Sequence, residues 1–98
     1  MFHHIAMFRF KEDVEEAVVA AIHTDLLALP DKIEAIRSYR VGFDAGVSDA
    51  AWDLVVVAEF ADEAGYKAYS SHPDHVPVVH RIRALIEDRA AIQTRFLG

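Results

Sequence analysis

Ala68-Tyr69-Ser70-Ser71-His72-Pro73-Asp74-His75-Val76-Pro77-Val78-Val79-His80 is the stretch on which the fold of this chain turns, for it holds two prolines and three of the six histidines. Proline disfavours helical backbone at the residue before it and has no amide to continue a ladder, so the His72-Pro73 step ends one helix. Pro77 is placed differently, in the first turn of a following helix, where the missing amide costs little. The segment therefore divides a helical region in two and gathers titratable side chains at the bend.

Just before this bend, Asp62 is placed to cap a helix from Glu63 to about Ser71, with Tyr66 and Tyr69 three apart on one side. After it, a third helix is predicted from about Asp74 to Glu87, with Val76, Val79, His80, Arg83 and Ile86 in one row and Val78, Ile82 and Leu85 in another. Strands flank both. Trp52 to Phe60 sets Leu54, Val56, Ala58 and Phe60 against Val55 and Val57, and Arg89 to Leu97 sets Ala90, Ile92, Thr94 and Phe96 against Ala91, Gln93, Arg95 and Leu97.

The first half repeats the theme. Residues 2–10 alternate, with Phe2, His4, Ala6, Phe8 and Phe10 opposed to His3, Ile5, Met7 and Arg9. Asp13-Val-Glu-Glu16 has the form of a capping box, and the helix it opens is expected to stop at Pro30. Residues 31–36 form a connecting turn, residues 38–43 a strand and residues 44–51 a loop.

The order is βαββαβ with its second helix broken, which predicts an α+β, ferredoxin-like domain over residues 1–98, with a four-stranded antiparallel sheet and helices on one face. That leaves the other face uncovered. Ile5, Met7, Val55 and Val57 would meet water there, so a second copy is expected to cover them, sheet against sheet, in a homodimer.

Composition narrows the chemistry. With no cysteine in 98 residues, disulfides, thiolate nucleophiles and Cys-based zinc sites are excluded, and a reducing cytoplasm is the expected location. The net charge of −6 and the scattering of Arg81, Arg83, Arg89 and Arg95 argue against nucleic acid. No secretory leader and no membrane span are expected. The glycines never form a phosphate-binding run. His72, His75 and His80 have no carboxylate at ligand spacing, so no metal site is expected.

Several residues together resemble the stress-responsive A/B barrel (Dabb) family. They are His4-Ile5 followed by Phe8-Arg-Phe-Lys11, Leu29-Pro30 through Ile36, Gly42, the Tyr69-Ser-Ser-His72-Pro-Asp-His75 run, and Asp88-Arg-Ala90. The resemblance implies a homodimer whose two sheets close into a dimeric α+β barrel, with no obligatory cofactor and no single function. Many members carry no established activity, whereas a cyclase branch folds polyketide chains by aldol-type condensation. By resemblance to that branch, His75 matches the catalytic histidine, His4 its partner on the first strand and Tyr69 the active-site tyrosine. Where the cyclase has a further tyrosine on the first helix, this chain has Leu26, with His23 one turn earlier.

Three readings follow. One is a homodimer that binds a hydrophobic small molecule or acts in a stress response, with His72, His23 and Leu26 as candidate substrate contacts beside the three matched residues. Another is a cofactor-independent cyclase or isomerase in which His75 is the base. The third is a dimerisation module that acts through protein contacts alone. Each residue also has a plainer role open to it. An imidazole after proline at a helix start commonly bonds backbone, a mid-strand histidine is commonly a satisfied core residue, and His72 can bond locally where its helix ends.

Overall fold

A computed structural model describes residues 1–97 and places them as β1 (Phe2–Phe10), α1 (Glu16–Lys32), β2 (Ile36–Phe43), β3 (Leu54–Phe60), α2 (Glu63–Ser70), α3 (Val76–Arg83) and β4 (Ile86–Thr94). The strands form one antiparallel sheet in the order β2-β3-β1-β4. This is the ferredoxin-like arrangement that the element order predicts.

Alternation along β1 and β3 assigns their faces. Phe2, His4, Ala6 and Phe8 are buried beneath the helices with Leu54, Val56, Ala58 and Phe60. Ile22, Leu26 and Leu29 of α1, Tyr69 of α2, and Val78 and Ile82 of α3 close over them. Full burial of a side chain such as Leu29 is worth about 1.5–3 kcal/mol, so this one layer accounts for most of the chain's apolar driving force.

Element ends depart from the sequence expectations, each for a local reason. Asp13 does not cap α1: Glu15 is the capping residue, in extended backbone and with no side-chain bond, and its carbonyl takes the amides of Val18 and Val19. Pro30 does not stop the helix either. Its missing amide costs one bond, but the Ile33 amide still reaches the Leu29 carbonyl at 2.9 Å, and Leu29 and Ile33 are each only 1% exposed. Burial of these two side chains carries the helix through Lys32.

The strands shift for reasons of pairing. Ile36 pairs with Phe60 while Ser38 pairs with Glu59, so Arg37 is an extra residue in β2. This bulge puts Ile36 and Tyr39, three apart, on the same helix-facing side. β3 begins at Leu54 because Asp53 ties the preceding loop to β1: its carboxylate accepts the Phe10 amide at 2.9 Å, and its own amide donates to the Phe8 carbonyl at 2.9 Å. β4 begins three residues earlier than expected. The Leu85 carbonyl accepts the Lys11 amide at 2.9 Å and Ile86 pairs with Phe10, so the ladder with β1 claims residues that helical periodicity alone assigns to α3.

The opposite face of the sheet carries no layer in the single chain. Ile5 and Met7 of β1, Val55 and Val57 of β3, and Ala90 and Ile92 of β4 share it, and Ile92 is 56% exposed. Polar groups stand at its margin, where His3 Nε2 meets the Glu59 carboxylate at 2.9 Å.

Candidate functional site

The turn between α2 and α3 is built from backbone bonds that proline permits. The His72 amide reaches the Tyr69 carbonyl at 3.1 Å, and the amides of His75 and Val76 both reach the His72 carbonyl. His75 is the capping residue of α3, but its side chain makes no bond to the first turn. Its ring folds back instead, and Nδ1 donates to the Ser70 carbonyl at 3.1 Å. That bond fixes the tautomer and leaves Nε2 with a free lone pair. The same ring lies over Tyr69, with ring centroids 4.0 Å apart.

Beneath this turn lies a cavity of about 310 Å³ between the sheet and the helices, lined among others by His4, Leu26, Tyr39, Tyr66, Tyr69 and His75. β1 delivers His4 to its floor through the same alternation that buries Phe2 and Ala6. Gln93, the residue opposite His4 on β4, donates from Nε2 to His4 Nδ1 at 2.8 Å, so the His4 proton sits on Nε2. The His4 ring packs 5.0 Å from Tyr66 and 6.1 Å from Tyr69, centroid to centroid.

Burial governs the charge states. It lowers the pKa of His4 to about 4, with the Arg89 guanidinium and His75 adding to the effect. Burial also lowers His75 below its ordinary value, opposed by its bond to Ser70 and assisted by His72 and Arg89. Both imidazoles are therefore neutral at pH 7. The Tyr69 phenol is pushed up to about 12 by burial, and Tyr39 is raised further by burial and by Tyr69, so both keep their protons. Their hydroxyls meet at 2.9 Å. The cavity thus presents a bare imidazole nitrogen and phenolic donors in apolar walls, a set that can accept a proton and stabilise an oxyanion.

Of the sequence candidates, His4, Tyr69, His75 and Leu26 line this cavity. His72 and His23 lie outside its lining. The His72 ring accepts the Asp74 amide at 3.0 Å and helps hold the turn, while the His23 ring packs 5.2 Å from Phe43. Among the described residues no group of three or more His, Cys, Asp or Glu converges as metal ligands do, and no helix is long and apolar enough to cross a membrane.

Tyr39, Gln93 and Arg89 belong to the site although no sequence motif marks them. Tyr39 reaches it through the β2 bulge, which the alternation of residues 38–43 does not reveal. Gln93 and Arg89 reach it through the β1–β4 register, which places them opposite His4 and Phe8. Removing the Tyr39 hydroxyl tests the phenol pair: Tyr39→Phe is expected to cost about 0.5–1.5 kcal/mol in urea unfolding, the net worth of one hydrogen bond. No loss would mean that Tyr69 finds another partner.

Comparison with known proteins places this geometry. No curated protein matches the chain at a significant level. Among solved structures, a dimeric ferredoxin-like protein of unknown function from Thermobifida fusca is 35% identical, covering 97% of this chain and 90% of its own, with a TM-score of 0.90. A dimeric protein of unknown function and ferredoxin-like fold from Bacteroides fragilis is 28% identical over 97% of this chain and 95% of its own, with a TM-score of 0.86. A hydroxynitrile lyase from Passiflora edulis has a TM-score of 0.86 over 95% of this chain and 90% of its own, and at 18% identity it shares the fold alone. The model of the stress-responsive A/B barrel domain matches residues 2–95, and with nearly the whole chain inside that match the protein belongs to this family.

Proposed function

We propose that this protein is a homodimer, joined through the open faces of its two sheets, and that each subunit binds an apolar small molecule in the cavity under the α2–α3 turn. The apolar stripe of Ile5, Met7, Val55, Val57 and Ile92 supports the dimer, as do the dimeric proteins it resembles. A covered stripe removes the exposed apolar patch that a lone chain would carry. The cysteine-free composition is in keeping with a cytoplasmic setting.

One observation carries the binding reading further, toward catalysis. His75 Nδ1 is spent on the Ser70 carbonyl, so Nε2 is left as a neutral base at the wall of an apolar cavity beside Tyr69. A ligand with an enolisable carbonyl would lose a proton to His75, while the Tyr69 hydroxyl and His4 Nε2–H supply donors for the oxygen. This is the chemistry of a cyclase or isomerase acting through proton transfer.

Native mass spectrometry of the full chain, gently purified, tests both statements together. A dimer carrying a discrete extra mass of small-molecule size is the expected result. A monomer would overturn the sheet-to-sheet assembly. A bare dimer that also takes up none of a panel of aryl ketones and acids would overturn the ligand site.

A further inference from the structure

The chain holds sixteen Asp and Glu residues, yet none of them lines the cavity, whereas Arg83 and Arg89 both do. No carboxylate within salt-bridge distance pairs with either guanidinium among the described residues, although Arg81, two residues from Arg83, is held by Asp25 at 3.1 Å. Arg89 stands on the helix-facing side of β4, opposite Phe8 and four residues before the Gln93 that holds His4. Its charge is felt by His4, Tyr69 and His75 alike. In a protein of net charge −6, an opening with two unpaired guanidiniums and no carboxylate is a local reversal of sign.

From this we infer that the cavity selects a monocarboxylic acid with an apolar body, its carboxylate held by Arg89 with help from Arg83, and its body among Phe8, Leu26, Val56 and Ile82. The inference rests on the cavity's being a ligand site and adds the chemical class of the ligand. Arginine is suited to this task because its planar fork meets a carboxylate with two parallel bonds and stays charged at every working pH. The volume sets the size of the body. About 310 Å³ is roughly double the ~150 Å³ cavity that takes one benzene, so a ring with a short chain, or a fused pair of rings, fills it. Phosphate esters fit less well, since their second charge would be set among the apolar walls close to neutral imidazoles.

The placement of Arg89 also bears on chemistry. If the acid also carries an enolisable carbonyl, a carboxylate held by Arg89 keeps that carbonyl in the cavity that His75 also lines. Arg89 would then act by positioning, and its loss would appear first in KM or Kd.

The test compares hydrocinnamate with its neutral amide, hydrocinnamamide, by calorimetry on the full chain. The acid is expected to bind about ten- to a hundred-fold more tightly, the range of a charge-assisted bidentate contact. Arg89→Met should remove most of that gap while leaving the amide's affinity within about two-fold; Arg83→Met should narrow it less. If the amide binds as well as the acid, or if Arg89→Met weakens both equally, the inference fails and the ligand site stands. If neither probe binds, nor any homologous pair with one ring more or a shorter chain, the ligand site fails and the inference falls with it.

Discussion

Replacing His75 with glutamine is expected to slow proton abstraction by about 10²–10⁴-fold, the usual contribution of a positioned general base. The measurement is exchange of the α-hydrogens of benzoylacetate or benzylacetone for solvent deuterium, compared between the native chain and His75→Gln at equal occupancy. Glutamine keeps an N–H for the Ser70 carbonyl, so the α2–α3 turn retains the bond that now holds the imidazole. It offers no basic nitrogen. The pH profile adds a second signature: the reactive form is the neutral ring, and burial lowers its pKa, so the midpoint at which the rate falls with acid should lie below the 6.5 of an ordinary histidine. A profile breaking above 6.5 would assign the titration to a different group. Exchange that survives the substitution unchanged would leave His75 as a residue that only shapes the turn.

Tyr69→Phe is the natural companion, since it keeps the stacked ring and removes the donor. Its effect should fall on the same rate if, as proposed, the Tyr69 hydroxyl, which meets that of Tyr39, is the donor beside a His75 base.

How much of this can be read from the chain depends on which interactions are local. Alternation in residues 2–10 and 54–60 needs only the sequence, so the faces of β1 and β3, and with them the burial of His4, are legible in the order of residues alone. The break at His72-Pro73 is equally local. Tyr69, His75 and Leu26 converge on one cavity, yet their spacing in sequence does not say so; what places the first two together is the resemblance of the Tyr-x-x-His-Pro-x-His run. Tyr39 and Gln93 stay hidden because their positions depend on a bulge and on strand register, which are set by pairing across the sheet. Helix ends escape local signals for a related cause. Pro30 has a strong local preference, and the burial of Leu29 and Ile33 outweighs it. His23 shows the converse limit, since one helical turn separates it from Leu26 and yet it packs against Phe43, outside the cavity.

Acid should weaken the fold chiefly through His4. In the folded chain its pKa is about 4, whereas an unfolded histidine titrates near 6.5. As pH falls the unfolded chain takes up this proton first, so the contribution to stability is fully present above about 6.5 and is lost as pH falls from there toward 4. The full loss is on the order of 3 kcal/mol, of which about 2 kcal/mol should appear between pH 7 and pH 5, a window in which ordinary carboxylates titrate little. The groups facing His4 act in one direction or not at all: Arg89 and His75 disfavour the charged ring, Gln93 donates to Nδ1 and so favours the neutral form, and Tyr66 and Tyr69 supply apolar faces. His75 shares the sign, with a smaller share to be expected from its more open position. Urea unfolding at pH 7, 6 and 5 measures the slope, and His4→Leu removes the titrating group. The variant's stability at pH 7 is not the readout, because leucine changes the packing; its change between pH 7 and pH 5 is. A slope reduced to the remnant set by His75 would confirm that His4 is held neutral by its burial. An undiminished slope would show that His4 keeps an ordinary affinity for protons in the folded chain, and the cavity floor would then carry a charge that repels Arg89 and draws an acidic ligand more strongly as pH falls.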